Sequence, residues 1–419
     1  MTIIRKILND NFFRHSTIFF IGSFLIAVLN YLYNPALGRI MSIEEFGEVQ
    51  VLISIYLLLA IFVSVFGIAI MNISANLENE DDKQKIVVDL QNISLYLILI
   101  LSALILLFSR SFKMFFNFDS VYPFFVLVIL LVLSVMITFR TSWLQGRCNF
   151  FTVSVSGIIT SAGRLIFGLL FVLIGWKTFG AIFGLVAAQI LTWLYVYSKT
   201  KNQVKKNNIF KLTWNDDLKK ESFYGILVFF AMSSITFLYS SDVIIVKHYF
   251  LPEQAGLYSG IATVGRSIFF LAGSTAGVLL SSIKQNNSNK ENQKIFIKSL
   301  IVVCSLTLPV LMIFSFYPLR LINLLIGAKY VSSAIFLPKI SLVMFLVSIA
   351  NLVIYYNLAL RKFYLIPISI FTVAFVLVLN LFFHDSLYQI INNFLYGSVL
   401  IIALPFIYEK INFRNHSNI

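Results

Sequence analysis

Polar residues along this chain do not recur at the 3.6-residue spacing of a soluble amphipathic helix. They gather instead at the edges of long, nearly unbroken apolar runs. Crossing the ~30 Å hydrocarbon core of a bilayer takes about 20 mostly apolar residues in a helix, and twelve runs meet that length. The first six lie near 15–36, 49–71, 86–109, 121–143, 151–174 and 178–198. The second six lie near 222–246, 257–281, 299–318, 336–359, 363–383 and 387–408. The pattern predicts an all-α polytopic membrane protein. The first run is too long for a signal-peptide core and ends in Tyr33-Asn34-Pro35-Ala36 rather than a small-x-small cleavage site, so it is expected to stay in the mature protein.

Composition removes the competing classes. Of 419 residues, 59% are hydrophobic and 12% charged, about half the charge of a soluble domain. Aromatics at 16% exclude disorder, and the long apolar runs exclude an outer-membrane barrel, whose strands alternate. Cys148 and Cys304 stand far apart without a CxxC or zinc spacing, and read as small apolar fillers.

The net charge of +14 would suit nucleic acid if the basic residues were clustered on one soluble face, but their distribution follows the spans. With the N-terminus inside, the tails and inner loops hold 21 Lys and Arg, the outer loops seven, and the spans four. This is the positive-inside bias expected of a polytopic membrane protein with both termini cytoplasmic. It accounts for the charge by topology and argues against a nucleic-acid partner. The longest polar stretch, 199–221, carries seven lysines and suits an orientation signal in contact with anionic lipid.

That stretch also divides a repeat. Met41-Ser42-Ile43-Glu44-Glu45-Phe46-Gly47 follows the first span, and Phe250-Leu251-Pro252-Glu253-Gln254-Ala255-Gly256 follows the seventh. The shift that carries Glu44 onto Glu253 lays the first six spans on the second six. The expected organisation is an N-terminal six-helix lobe at 1–200, a basic cytoplasmic linker at 201–221 and a C-terminal six-helix lobe at 222–419. Because each lobe has an even number of spans, a pseudo-two-fold along the membrane normal should relate them, with the substrate path between. Glu44 and Glu253 open a turn at the outer surface, where the following glycine lets the chain bend; a structural corner is the simpler reading.

The corner Gly38-Arg39-Ile40-Met41-Ser42-Ile43-Glu44-Glu45-Phe46-Gly47, its echo Leu251-Pro252-Glu253-Gln254-Ala255-Gly256-Leu257-Tyr258-Ser259 and the turn Leu144-Gln145-Gly146-Arg147 together resemble the polysaccharide transporter family. That family includes the Wzx-type O-antigen flippases of the multidrug/oligosaccharidyl-lipid/polysaccharide exporter superfamily. The resemblance implies alternating-access translocation of a polyprenyl-pyrophosphate-linked oligosaccharide from the cytoplasmic to the outer leaflet, with a polysaccharide polymerase and chain-length proteins as candidate partners. It implies no cofactor beyond a proton or sodium gradient.

Ionisable groups at mid-membrane are costly and face a partner or a watery cavity. Arg140 and Lys339 lie close enough to span ends to snorkel, and Arg39 sits at the outer corner. Arg164, amid Ser161-Ala162-Gly163, and Arg266, beside Gly265, lie too deep for that. Each suits either a substrate pathway or a structural ion pair. Guanidinium groups bind phosphate in a bidentate way without losing their charge, so Arg164 and Arg266, with Arg39, Arg140 and Lys339, are the candidate pyrophosphate guides. A drug-cation exporter would show the reverse sign, with buried carboxylates dominating. Asp242 is the acid well inside a span, near Lys247 and His248: either it couples transport to protons or sodium, or it pairs with Lys247. Asn30 and Asn34 of span one are candidate sugar contacts, against interhelical hydrogen bonding as the alternative.

A membrane enzyme of glycan assembly, such as a polymerase or an acyltransferase, is the rival class. The chain has four scattered histidines, no HExxH or paired carboxylate in a span and no GxxxxGK[ST] loop, so it presents no acid–base site and no phosphate loop.

Overall fold

The structure is a computed structural model that describes residues 11–76, 80–201, 203, 216–283 and 288–416. The described residues are almost all helical, joined by short turns and without a strand. In chain order the helices are α1 (Asn11–Ile40), α2 (Ile43–Asn76), α3 (Glu80–Leu107), α4 (Ser109–Phe115), α5 (Tyr122–Gly146), α6 (Phe150–Phe171), α7 (Lys177–Thr200), α8 (Asp216–Tyr249), α9 (Pro252–Gly265), α10 (Ser267–Ser282), α11 (Asn289–Phe316), α12 (Pro318–Leu325), α13 (Leu337–Ala359), α14 (Leu365–Phe382) and α15 (Leu387–His416).

Among these residues ten helical stretches are long and apolar enough to cross a membrane. One of them, Phe150–Thr200, runs for 51 residues, twice a crossing. It divides at Gly175, whose φ of +98° suits glycine alone, between α6 and α7. With α1, itself 30 residues long, the described residues form twelve transmembrane helices, matching the twelve predicted runs.

The chain separates into two compact units, residues 1–45 with 59–221 and residues 46–58 with 222–419. The division at 221/222 falls at the end of the predicted linker, of which residues 202 and 204–215 lie outside the described residues. The first third of α2 packs in the second unit, which the spans alone do not foretell. Phe46 meets Tyr330 edge-on at 5.9 Å, and a Cβ on Gly47 would lie 2.8 Å from the Cα of Gly256, so the two corner glycines lie backbone to backbone.

In the first unit, small residues bring helices together, as is usual where lipid supplies no hydrophobic drive. A Cβ on Gly184 of α7 would fall 2.4 Å from the Gly168 nitrogen of α6. Gly163 of α6 likewise rests on Ala188 of α7. Ile70, Ile73, Val87, Val88, Phe139 and Trp143 form a buried cluster joining α2, α3 and α5. In the second unit, Ala272, Ala276, Leu279, Ile283, Val303 and Leu352 join α10, α11 and α13.

Two segments expected as plain outer loops are folded. Ser109–Phe115 forms α4, and Pro318–Leu325 forms α12, followed by a 3-10 stretch Ala328–Phe336. Both short helices follow the third span of their repeat and expose large apolar side chains: Met114 and Phe115 on one, Leu319 and Leu324 on the other. Such helices lie in the interface plane rather than across it. The first corner is closed by a capping box in which the Ser42 hydroxyl accepts from the Glu45 backbone N–H (3.2 Å) and a Glu45 carboxylate oxygen from the Ser42 N–H (3.3 Å). Glu45 also pairs with Lys177 at 3.1 Å. Glu45, the neighbour of Glu44, is thus the acid that fixes the corner.

Candidate functional site

In the first unit the deep arginine is placed by a tyrosine. Tyr33 of α1 is fully buried, and its hydroxyl donates to the Ala181 carbonyl of α7 at 3.1 Å. Gly168 makes room for its ring, since a Cβ there would lie 2.7 Å from Tyr33 Cε2. The ring so fixed presents its face to Arg164 of α6, whose guanidinium carbon stands 4.0 Å from the ring centroid. A cation–π contact of this kind contributes about 0.5–2 kcal/mol and leaves the cation a cation. Arg164 is half-buried rather than sealed.

One turn before Arg164, Thr160 shares a 2.8 Å hydroxyl bond with Thr192 of α7, and Gln189 is buried on the same helix. Asn30 and Asn34 are half-buried on α1, where Asn30 lies one turn from Tyr33 and on the same side. The structure therefore brings Arg164 and Tyr33 together, with Asn30 one helical turn before Tyr33 and Asn34 next to it in the chain. Tyr33 is the member that sequence reasoning passed over; nothing in its own neighbourhood announces that Gly168, over a hundred residues away, would admit its ring.

The other predicted pathway cations are held elsewhere. Arg140 of α5 donates to the Thr200 hydroxyl (2.5 Å) and lies 4.6 Å from the Tyr197 ring, tying α5 to the end of α7. Arg39 is exposed in the last turn of α1, where a cation suits the negative end of the helix dipole. Lys339, in the first turn of α13, has its ammonium 5.1 Å from the Tyr388 ring at the start of α15.

In the second unit Arg266 and Asp242 form a buried ion pair, Nη2 to Oδ1 at 2.5 Å, with side chains 6% and 3% exposed. Tyr258 donates to the other carboxylate oxygen at 2.9 Å, and Arg266 Nη2 also reaches the Ser240 carbonyl at 3.2 Å. Asp242 is thus paired with Arg266 of α9–α10, not with Lys247 of its own helix. The cavity beside it, lined by Leu238, Asp242, Tyr258 and apolar residues of α13 and α15, measures about 10 Å³, room for one water. Arg266 Nε is buried and makes no hydrogen bond among the described residues. The pair cancels the charge of both members, where the sequence suggested a cation and a separate coupling acid.

Residues 12–280 match the family model described as polysaccharide biosynthesis protein. No curated protein matches the chain. Among solved structures, the lipid II flippase MurJ in an inward closed conformation is similar at a TM-score of 0.75 and 14% identity, over 94% of this chain and 87% of that one. An inward-facing MATE multidrug resistance transporter of the MOP superfamily is similar at 0.66 and 13% identity, over 93% and 96%. The MATE multidrug transporter DinF-BH is similar at 0.66 and 16% identity, over 96% and 95%. At these identities the likeness is one of fold. Taken with the twelve membrane helices, the family match places this chain in the polysaccharide biosynthesis protein family, as a multi-pass membrane transporter.

Proposed function

We propose that this chain is a flippase for a polyprenyl-pyrophosphate-linked oligosaccharide, moving it from the cytoplasmic to the outer leaflet of a bacterial inner membrane. Arg164 is the group that meets the pyrophosphate. The observation that carries the reading is its setting: a permanently charged guanidinium deep in a span, half-buried and braced by the face of a locked tyrosine. A bidentate guanidinium–phosphate contact in a low-dielectric setting is strong and directional, and the asparagines supply donors and acceptors for the adjoining sugar.

Alternating exposure of the Arg164 region to the two leaflets completes the transport. Moving about two net negative charges outward across ~100 mV releases on the order of 4–5 kcal/mol, so the membrane potential drives export. The Arg266–Asp242 pair supports a structural role for both residues. A carboxylate already satisfied by a guanidinium and a phenol has no need of a coupling cation, so transport should not depend on Asp242 as a proton or sodium carrier.

The test uses a host deleted for the gene. The extracted lipids are expected to accumulate a polyprenyl-pyrophosphate oligosaccharide on the cytoplasmic face. The wild-type chain should clear it, Arg164→Lys should clear it partly, and Arg164→Ala should not. Tyr33→Phe, which keeps the ring face, should clear it better than Tyr33→Leu. A host without accumulation but newly sensitive to cationic drugs would overturn the proposal in favour of drug export.

A further inference from the structure

Between the two repeats, one helix face reverses its charge. The shift that carries Glu44 onto Glu253 also lays Gln84-Lys85-Ile86 of α3 on Gln293-Lys294-Ile295 of α11, an identical tripeptide. One turn to either side the match breaks: Asp81 stands against Lys290, and Asp89 against Lys298. Spacing of i, i+4, i+8 keeps three positions on one helix face. That face carries one net negative charge on α3 and three positive charges on α11. Lys290, Lys294 and Lys298 are all exposed, whereas Asp89 is buried. The acid of the α11 segment, Glu291, is engaged at the helix start, where its carboxylate accepts from the Ser288 N–H at 3.0 Å in a capping box.

The direction of the α11 face decides what it meets. Lys294 is continued at helical intervals by Ile297, Ile301, Leu308 and Met312, which are exposed along the span. Asn292, Val303 and Thr307, on the opposite face, are buried, and Val303 belongs to the cluster that joins α11 to α10 and α13. Apolar side chains left exposed on a membrane helix meet acyl chains, which are as apolar as they are. Depth agrees with this. The far end of α11 carries Phe316 and Tyr317, 75% and 55% exposed, the aromatic marking of a membrane boundary. From Phe316 back to Lys298 the helix runs about 27 Å at 1.5 Å per residue, close to the ~30 Å hydrocarbon core. Lys298 therefore stands at the other boundary. Lys294 lies about 6 Å beyond it, within the headgroup layer, and Lys290 about 12 Å beyond, within a side chain's reach of that layer.

We propose that Lys290, Lys294 and Lys298 of α11 form a docking face for the headgroups of anionic phospholipids in the cytoplasmic leaflet, and that the equivalent face of α3 does not. The occupant follows from the continuity of the stripe. A face that runs straight into the lipid-exposed side of a span is flanked by headgroups, and three ammonium groups against one carboxylate already engaged at the cap select the headgroups with net negative charge. The Lys/Arg bias assigns this end of α11 to the cytoplasmic side, where basic residues near the surface attract anionic lipid. A soluble polyanion would call for a basic face turned away from the bilayer.

Photolabelling of the full chain tests this, in nanodiscs of equal parts phosphatidylglycerol and phosphatidylcholine. A trace of either lipid carries the same diazirine next to its glycerol, and the adducts are mapped by peptide mass spectrometry. Each basic group near a membrane surface favours an anionic head by about fivefold. Adducts within 290–301 should therefore be at least about fivefold more frequent with phosphatidylglycerol, and those within 81–92 should show no such preference. Replacing the three lysines of α11 by Gln should bring its ratio close to one, and replacing them by Arg should keep it. Equal labelling of 290–301 by the two lipids in the wild-type chain would overturn the proposal. So would an equal preference at 81–92, which would make it a property of the whole cytoplasmic surface. Loss of the preference to excess inorganic phosphate at fixed ionic strength would assign the lysines to a soluble anion and overturn it as well. The wild-type comparisons are decisive even if a variant fails to fold.

Discussion

Replacing Asp242 by Asn removes one charge from a pair whose side chains are only 3% and 6% exposed. The guanidinium of Arg266 is then left in a sealed setting with only neutral acceptors, the Ser240 carbonyl and the amide oxygen that the substitution introduces. Breaking a buried pair from one side costs about 3–5 kcal/mol. For a folding unit of this size each kcal/mol lowers the unfolding midpoint by about 2–4 °C, so Asp242→Asn should lower it by roughly 6–20 °C. Arg266→Met should cost a similar amount, since it strands the carboxylate with Tyr258 as donor. The double variant should lie within about 1 kcal/mol of wild type, because removing both charges also removes their desolvation penalty. The assay is thermal unfolding in lipid nanodiscs, followed by a thiol-reactive dye. Cys304 is half-buried and reports unfolding once the exposed Cys148 is replaced by Ser. A double variant destabilised by the sum of the two singles would show the residues to be energetically independent and would refute the reasoning. An unaltered proton-gradient dependence of transport in the double variant is the matching functional result.

Gly184→Ala drives a methyl to 2.4 Å from the Gly168 backbone and should cost at least about 1–3 kcal/mol. Gly273→Ala meets nothing within 4 Å and should be neutral or stabilising by up to ~1 kcal/mol; equal midpoints for the two would sink this account of the α6–α7 contact. Burial and the neighbouring Glu409 carboxylate raise the Tyr364 hydroxyl above its ordinary value of 10.0. A raised phenol keeps its contribution to stability below its ordinary value and loses it as pH climbs through the folded one. The pH profile of Tyr364→Phe should therefore parallel wild type from pH 6 to 9 and diverge above about 10, as measured by the same dye.

The spans were legible because the bilayer demands long apolar runs wherever a helix crosses, irrespective of its neighbours. Depth was legible too: Arg164 and Arg266 sit mid-span, and each is integrated into a polar region of its unit. Partnership was not. Asp242 has Lys247 five residues away in sequence, yet its cation arrives from Arg266 on another helix, because packing rather than proximity along the chain decides which charges meet. Tyr33 escaped notice for the same reason. The α4 and α12 helices were hidden by their length, too short for a crossing and too apolar to read as a solvated turn, while α2 gave no sign that residues 46–58 would belong with the second unit.

Gly47 and Gly256 are equivalent members of the two copies of one motif, and a Cβ on the first would fall 2.8 Å from the Cα of the second. In a duplicated chain this ties two positions to a shared evolutionary history. A side chain acquired by Gly47 would collide with Gly256, so the first copy of the motif cannot drift at this position without the second giving way.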